Sequence, residues 1–163
     1  MTRVLGLDLS LNSAGYSVVE WNGQSATVLA VGHIDHKHKG RQKWSRGKKL
    51  LNIFQQLKTV INQWQPDIIV REKGVSRHAA VTQTLFCVVG VSDLLLETCG
   101  YPACNEIAIS SVKKQITGDG RAEKETVATE LQQYLTAPQE FAVDDESDSV
   151  AVALAYCMKE GIQ

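Results

Sequence analysis

The sequence lacks the long hydrophobic run that a membrane-spanning helix requires. Its uninterrupted apolar stretches are short, as at residues 88–91, whereas a transmembrane helix needs roughly 18 or more apolar residues in succession. Met1-Thr2-Arg3 leads directly into a strand-like segment, without the pattern of a secretory signal peptide. We therefore expect a cytoplasmic protein that does not associate with membranes.

Cysteine is also scarce, and its spacing argues against two classes of small protein. The four cysteines form no Cys-x-x-Cys pair. Disulfide scaffolds and zinc fingers both depend on clustered cysteines, so neither is supported. The hydrophobic fraction of 44% and the charged fraction of 21% are ordinary for a folded protein, and we expect a single domain over residues 1–163.

A net charge of −1 conceals an uneven distribution along the chain. Residues 140–163 contain six of the 18 acidic residues and one of the 17 basic residues. Seven basic residues fall within one short window: Lys37, Lys39, Arg41, Lys43, Arg46, Lys48 and Lys49. Such a window is compatible with binding a polyanion, and equally with a solvated loop and helix face.

Hydrophobic periodicity predicts an α/β protein. The predicted strands cover 3–9, 15–21, 27–33, 68–72 and 103–109, and the predicted helices cover 46–64, 79–98, 110–116, 122–135 and 145–159. Asn22-Gly23 is a strong hairpin signal, so the second and third strands should be antiparallel. Helices link the later strands, which indicates parallel pairing. The expected architecture is a mixed five-stranded sheet flanked by helices.

The acidic residues occupy informative positions in this pattern. Asp8 lies in the first strand and Glu72 ends the fourth, while Asp145 and Asp148 open the last helix about 60° apart around its axis. Carboxylates that converge in this way repel one another unless cations neutralise them, and oxygen ligands suit Mg²⁺ or Mn²⁺. Two ions roughly 4 Å apart could hold the attacking water and the leaving oxygen of a phosphodiester displacement.

Each acidic residue also has a purely structural interpretation. Asp145 and Asp148 could simply stabilise the N-terminus of the last helix, and Glu72 could pair with a basic neighbour on its strand. Asp8 is the hardest to explain structurally, because a carboxylate in so apolar a strand is costly unless it has a function. Asp144 is an alternative to Asp145, since Asp144 and Asp148 are four residues apart.

Several motifs spread over nearly the whole chain belong to one known family. They are Leu5-Gly6-Leu7-Asp8, Ser13-Ala14-Gly15-Tyr16, Gln65-Pro66-Asp67-Ile68-Ile69-Val70-Arg71-Glu72, Val112-Lys113-Lys114-Gln115-Ile116-Thr117-Gly118, Ala122-Glu123-Lys124 and Asp145-Glu146-Ser147-Asp148-Ser149-Val150-Ala151. On these motifs the chain resembles the RuvC family of Holliday-junction resolvases, which have the ribonuclease H-like fold.

The resemblance implies a homodimeric nuclease that acts on four-way DNA junctions and holds divalent metal with four carboxylates. Position by position, it assigns the metal-holding role to Asp8, Glu72, Asp145 and Asp148. It favours Asp145 over Asp144, because the spacing from Asp145 to Ser149-Val150-Ala151 matches the family pattern. Family lysines that serve cleavage and contact the DNA backbone match Lys113 and Lys124.

The chain departs from the family pattern at three places. Leu9-Ser10 replaces the usual Pro-Gly after the first aspartate, Lys73 replaces a glutamine, and Val75 replaces an aromatic residue that stacks on a base near the junction centre. These departures bear on sequence-selective cutting and strand opening rather than on the cleavage chemistry.

Two interaction surfaces follow from the same interpretation. The expected DNA contacts are Lys37, Lys39, Arg41, Lys43, Arg46, Lys48, Lys73, Arg77, Lys113, Lys114 and Lys124. The expected dimer contact is the 79–98 helix, which is more apolar than one buried face requires at Ala80, Leu85, Val88, Val89, Val91 and Leu95. Gly90 and Ser92 would let two copies approach closely; the competing interpretation is a helix wholly buried in its own core. No signal for branch-migration partner proteins is readable in the sequence.

The predicted activity is resolution of four-way junctions by paired nicking of opposing strands. The expected cofactor is Mg²⁺, with Mn²⁺ as a substitute and two ions per site, and the expected products carry 5′-phosphate and 3′-hydroxyl ends. A ribonuclease H-like or branched-DNA nuclease and a non-catalytic DNA-binding module are the alternatives. His33, His36 and His38 alternate beside the basic window, which favours DNA contact or no role over a metal site.

Overall fold

Five strands form one mixed sheet in the order β3-β2-β1-β4-β5. The structure is a computed structural model that describes residues 1–36, 43–74 and 79–163. The strands are β1 (Thr2–Asp8), β2 (Ser13–Trp21), β3 (Ala26–Asp35), β4 (Ile68–Glu72) and β5 (Asn105–Ile107). The first three pair antiparallel, whereas β4 pairs parallel with both β1 and β5. The predicted mixed α/β sheet is therefore confirmed.

Five α-helices cover this sheet, and their bounds follow the predicted ones closely. They are α1 (Arg46–Trp64), α2 (Ala79–Thr98), α3 (Ile109–Thr117), α4 (Lys124–Glu130) and α5 (Asp144–Glu160). The predicted helix over 122–135 is divided, because its last part tightens into a 3-10 helix over Leu131–Tyr134. Strand β5 is shorter than predicted and lies at the sheet edge, where it pairs only with β4.

Side-chain alternation along the strands decides which residues face each helical layer. On β1, Val4 belongs to the core formed with α3 and α5, whereas Leu5 and Leu7 belong to the core formed with α1 and α2. Because successive side chains point to opposite faces, Asp8 shares the face of Val4. The same two-residue period places Glu72 on the face of Val70, which belongs to the α5 core. Both acids therefore lie on the side of the sheet that α5 covers.

Two glycines let α5 approach the sheet closely. A Cβ on Gly6 would lie 2.2 Å from the carbonyl oxygen of Ser149, and a Cβ on Gly15 would lie 1.9 Å from that of Asp145. Such distances are far below van der Waals contact, so any side chain at either position would push the helix away. The missing side chains at Gly6 and Gly15 thus set the distance between the N-terminal half of α5 and the sheet.

Helix α2 buries one face and exposes three large apolar side chains elsewhere on its surface. Val88 and Leu95 are buried in the core of the same chain, so the prediction that they form the dimer contact is wrong. The exposed large side chains are instead Val81, Phe86 and Leu94, which are 55%, 65% and 60% exposed. The alternative of a wholly buried helix is equally wrong.

Two small residues of α2 were expected to let two copies approach closely; this is wrong for Ser92, which contacts its own chain, and stays a prediction for Gly90. Ser92 is buried and accepts a hydrogen bond from Arg71 at 2.7 Å, whereas Gly90 is exposed with no atom near its missing side chain. Within the described ranges, α2 is also the one helix long and apolar enough to cross a bilayer by length and composition. Counting uninterrupted runs missed this property, because isolated polar residues divide the helix.

Candidate active site

Asp8 and Glu72 lie side by side at one end of the sheet. The parallel ladder between β1 and β4 pairs Leu7 with Arg71, so the next residues on both strands end at the same edge. The side chain of Arg71 points to the opposite face, where it pairs with Asp93 at 2.5 Å and with Glu106 at 2.8 Å. Arg71 is therefore not the partner of Glu72, which removes one structural explanation for this acid.

The first two turns of α5 bring two further acids to this edge. Asp145 accepts a hydrogen bond from the hydroxyl of Ser13, and Asp148, 15% exposed at its side chain, accepts one from Nζ of Lys124 at 2.6 Å. Asp144 is exposed to solvent, and its charge helps to raise the pKa of Lys124. The geometry thus brings Asp145, rather than Asp144, against the strands that carry the other acids.

The electrostatics of Asp8 show how closely these groups interact. Burial, and after it the negative charges of Glu72, Asp148 and Asp145 in that order, together raise the pKa of Asp8 from 3.8 to about 7. Lys124 is the cation that opposes this increase. Four acidic residues from three elements therefore act on one another with incomplete compensation of their charge.

Two lysines lie beside this acidic cluster. Burial and Asp148 raise the pKa of Glu72, whereas Lys124 and Lys113 lower it. Both lysines line a small cavity of about 90 Å³ together with Glu72 and Asp148. The sequence pattern placed Lys113 and Lys124 on separate helices, and the structure brings them to the same edge.

A divalent cation fits this donor set by charge and by ligand type. Buried carboxylates that raise one another's pKa are the groups that a hard cation such as Mg²⁺ would stabilise. As the side chains are oriented, no three His, Cys, Asp or Glu residues within 1–36, 43–74 and 79–163 converge on a single point. Coordination would therefore need rotation of the carboxylates, and the bond from Lys124 already engages Oδ2 of Asp148.

A cleft of about 560 Å³ opens beside Asp8 and Glu72. One wall is the β1–β2 loop over residues 9–12, and the other is the first two turns of α2, including Thr84 and Leu85. The loop is fixed from outside, because Nζ of Lys49 donates to Oδ1 of Asn12 at 2.6 Å. The start of α1 is thus connected directly to the rim of the acidic site.

The predicted DNA-contacting residues lie in several places. Lys43, Arg46 and Lys48 are exposed around the start of α1; Lys73, directly after Glu72, and Lys114, directly after Lys113, are also exposed. Lys48 lies 4.3 Å from the ring centroid of Trp44, which also packs at 5.6 Å from the ring of His36. Lys37, Lys39, Arg41 and Arg77, with Val75 and His38, lie outside the described residues.

Four residues that support the site were not assigned this role from the sequence: His33, Glu146, His36 and Ser13. Nδ1 of His33 lies 2.8 Å from Oε1 of Glu146, and Glu146 is buried beside Asp145. His36 is also buried, and its Nδ1 donates to the carbonyl of Leu11 at 2.8 Å. The expectation of DNA contact or no role is therefore wrong for His36.

Ser13 belongs to one of the family motifs, but no role was predicted for its hydroxyl. Its hydroxyl bond to Asp145 joins residues 132 positions apart, and the His33–Glu146 pair joins residues 113 positions apart. One sequence signal could have pointed to a supporting contact: Glu146 follows Asp145 directly and precedes the apolar part of the helix, so its charge needs a partner.

Comparison with known proteins agrees with this geometry. A sequence model of the family described as "Crossover junction endodeoxyribonuclease RuvC" matches residues 4–156. The chain belongs to the RuvC family. The predicted resemblance is confirmed, and with it the ribonuclease H-like fold class.

Individual RuvC proteins match over nearly the full chain. A crossover junction endodeoxyribonuclease RuvC of Prochlorococcus marinus subsp. pastoris is 31% identical over 160 residues, which is 98% of each chain. The RuvC of a Synechococcus species is 30% identical over 152 residues, which is 93% of this chain and 96% of the relative. Thermus thermophilus RuvC, solved in complex with Holliday junction substrate, superposes with a TM-score of 0.88 at 18% identity, covering 99% and 96% of the two chains.

Proposed function

We propose that this protein is a divalent-metal-dependent endonuclease that resolves four-way DNA junctions. Family membership supports the activity, since the RuvC relatives are named crossover junction endodeoxyribonucleases. The observation that carries the proposal for this chain is the convergence of Asp8, Glu72, Asp145 and Asp148 at one sheet edge, with the pKa of Asp8 raised to about 7. Acting on DNA, the protein would work in the cytoplasm.

In this proposal the four carboxylates hold two divalent ions, with Mg²⁺ as the natural cofactor and Mn²⁺ as a substitute. Bound divalent ions supply Lewis-acid stabilisation for hydrolysis of the phosphodiester bond. Asp8 and Glu72 would supply oxygen ligands from the strand ends, while Asp145 and Asp148 would supply them from the first two turns of α5. The products would carry 5′-phosphate and 3′-hydroxyl ends.

Lys124 and Lys113 offset the negative charge of the acidic cluster and do not serve as metal ligands. Lys124 bonds to Asp148 and lowers the pKa of Asp8, so it limits the repulsion within the cluster. Lys113 lines the same small cavity and lowers the pKa of Glu72. Both ammonium groups are placed to attract a phosphate toward the carboxylates, because an array of four acids alone would repel DNA.

A homodimer would supply the two cuts that junction resolution needs. A four-way junction has two equivalent strands, and the part of this chain that the structure describes has one such acidic cluster, so a two-fold dimer would present two sites to a two-fold symmetric substrate. Phe86 and Leu94, eight residues apart on one face of α2, support this arrangement, because both large apolar side chains would otherwise be left in water. Gly90 lies on the same helix with nothing near it, which would allow a partner helix to approach.

The decisive experiment compares cleavage of three substrates by the purified chain: a synthetic four-way junction, a linear duplex of the same sequence, and an RNA–DNA hybrid. In Mg²⁺ we expect symmetrical nicks in the junction and little cutting of the other two, and in EDTA we expect binding without cleavage. Preferential cutting of the hybrid would replace the proposal with a ribonuclease H activity. Binding of the junction without cleavage in either metal would indicate a non-catalytic module.

Glu72→Gln and Asp148→Asn test the assignment of the site itself. Each substitution removes one ligand charge while preserving size, so cleavage should fall by at least a hundredfold and junction affinity should stay equal or increase. Glu106→Gln, which changes an acid on neighbouring β5 that pairs with Arg71 on the other face, is the matched control. Wild-type cleavage rates in Glu72→Gln or Asp148→Asn would contradict the assignment.

A further inference from the structure

Ser13, the first residue of β2, contacts one of the carboxylates of the proposed site. Its hydroxyl donates a hydrogen bond to Oδ2 of Asp145, and the residue is 7% exposed. A serine hydroxyl has a single proton, so this bond commits its donor capacity to that carboxylate. Hydrogen bonds that a carboxylate accepts belong to the stronger class.

The preceding loop fixes the direction in which Ser13 points. Oγ of Ser10 accepts a hydrogen bond from the backbone N–H of Ser13 at 3.0 Å and donates one to its carbonyl oxygen at 2.7 Å. Two residues later, the missing side chain of Gly15 brings the backbone of Asp145 against β2. The donor and the acceptor are therefore both held by backbone contacts that do not depend on the hydroxyl.

We propose that Ser13 is a positioning residue that fixes the rotamer of Asp145, so that one carboxylate oxygen is engaged by the hydroxyl and the other remains for the divalent cation. The inference rests on the proposed function, because it assumes that Asp145 is a metal ligand. Carboxylates that ligate metals are commonly held by such outer hydrogen bonds, and loss of one typically weakens metal affinity by about 10- to 100-fold.

A purely structural role for Ser13 makes a different prediction. If the hydroxyl only docked α5 onto β2, its loss would lower the stability of the fold without a specific effect on metal binding. Other contacts already dock the helix, since Oε1 of Glu146 pairs with His33 and Gly6 lies against the backbone of Ser149. The two roles can therefore be separated by measuring metal affinity and stability independently.

Ser17 provides a matched control on the same strand. It lies four residues after Ser13 on the same face of β2, is fully buried, and its hydroxyl makes no hydrogen bond to any residue that the structure describes. Ser17→Ala thus removes the same atom as Ser13→Ala from a similar environment without removing a bond.

The experiment measures melting temperature against Mn²⁺ concentration for the DNA-free protein. Ser13→Ala should need about 10- to 100-fold more Mn²⁺ than the wild type for half-maximal stabilisation. Ser17→Ala should match the wild type, and Ser13→Thr, which keeps a hydroxyl, should recover most of the affinity. If Ser13→Ala does not fold, Ser13→Cys, with a weaker donor of similar size, replaces it and should show a smaller shift in the same direction.

Cleavage of a four-way junction supplies the second measurement. The Mg²⁺ concentration for half-maximal rate should increase in Ser13→Ala, while the rate at saturating Mg²⁺ should stay within a few-fold of the wild type. Equal Mn²⁺ affinity in the wild type and Ser13→Ala, with or without lower stability, would overturn the positioning role alone. Absence of any Mn²⁺ response in the wild type would overturn both this role and the proposed metal site.

Discussion

Nζ of Lys124 lies 2.6 Å from Oδ2 of Asp148, so an ion pair joins the starts of α4 and α5 at the acidic edge of the sheet. The lysine side chain is 60% exposed and that of the aspartate is 15% exposed. This bond is the largest influence on the pKa of Lys124, which it raises. Its main effect is therefore on the charge balance of the site rather than on the stability of the fold.

Lys124→Ala should consequently impair cleavage far more than folding. We expect at least a tenfold lower cleavage rate at saturating Mg²⁺, because the charge that opposes repulsion at the site is lost. The free energy of unfolding should change by less than about 1 kcal/mol, as is usual for an ion pair with an exposed partner. Lys159→Ala, which removes an exposed ion pair with Glu160 in the last turn of α5, is the control. Equal rates for Lys124→Ala and the wild type would contradict this role.

Asp8→Asn should stabilise the metal-free protein, and more so at alkaline pH. Between pH 3.8 and about 7 the folded protein retains a proton on Asp8 that the unfolded chain has lost, so stability falls as pH rises through this range. Above about pH 7 Asp8 is ionised in both states and this loss of stability is complete. Asp8→Asn cannot ionise, so the variant does not suffer the loss. In EDTA, the gain in unfolding free energy should be about 2 kcal/mol larger at pH 8 than at pH 5.

Denaturant unfolding at the two pH values measures this gain. Asp119→Asn, in the turn after α3, is the control for loss of one negative charge at an exposed position. A gain of the same size for Asp8→Asn at pH 5 and pH 8 would show that the pKa of Asp8 is not raised.

Gly15→Ala should separate α5 from the sheet at the site. The added Cβ would lie 1.9 Å from the carbonyl oxygen of Asp145, and backbone on both sides leaves no flexible group to move. We expect destabilisation of about 1–3 kcal/mol and at least tenfold slower cleavage. Gly47→Ala, on exposed α1 with no atom within 4 Å, should instead stabilise the protein by about 0.5–1 kcal/mol. Parallel measurements of unfolding and cleavage check both expectations.

Neutralising the exposed basic residues at the start of α1 should reduce the salt dependence of junction binding. The slope of log affinity against log salt is about −0.9 for each neutralised phosphate on duplex DNA. The combined change Lys43→Gln, Arg46→Gln and Lys48→Gln should make the slope shallower by up to about 3. An unchanged slope in a binding titration would show that these residues form a solvated surface and do not contact DNA. Lys159→Gln, in the last turn of α5, is the control and should leave the slope as it is.

Phe86→Glu should disrupt the proposed dimer without unfolding the chain, because the side chain is 65% exposed. Sedimentation at micromolar concentration should give a dimer for the wild type and a monomer for the variant, and nicking of the junction should become unpaired. Leu51→Glu, which changes an apolar residue of α1 that is 55% exposed, should remain dimeric. A wild-type monomer that still cuts junctions symmetrically would contradict the proposed dimer.

The order and type of the regular elements were predictable from sequence, because hydrophobic periodicity is a local property. The helix at Arg46–Trp64 and the strand at Ile68–Glu72 begin and end where the pattern and the Gln65-Pro66-Asp67 break indicate. The two-residue alternation of β1 also implied that Asp8 and Leu7 point to different faces. Which face each helix covers was not readable, since that depends on how separate elements pack.

Sequence by itself therefore determined the elements, the family and the four acids proposed as ligands. Only the tertiary structure decided that Val88 is core while Phe86 is exposed, and that Asp145 is held by Ser13 and Glu146 by His33. The physical reason is separation along the chain. Helix and strand patterns arise over a few residues, whereas these contacts join residues 132 and 113 positions apart and exist only because Gly6 and Gly15 let α5 lie close against the sheet.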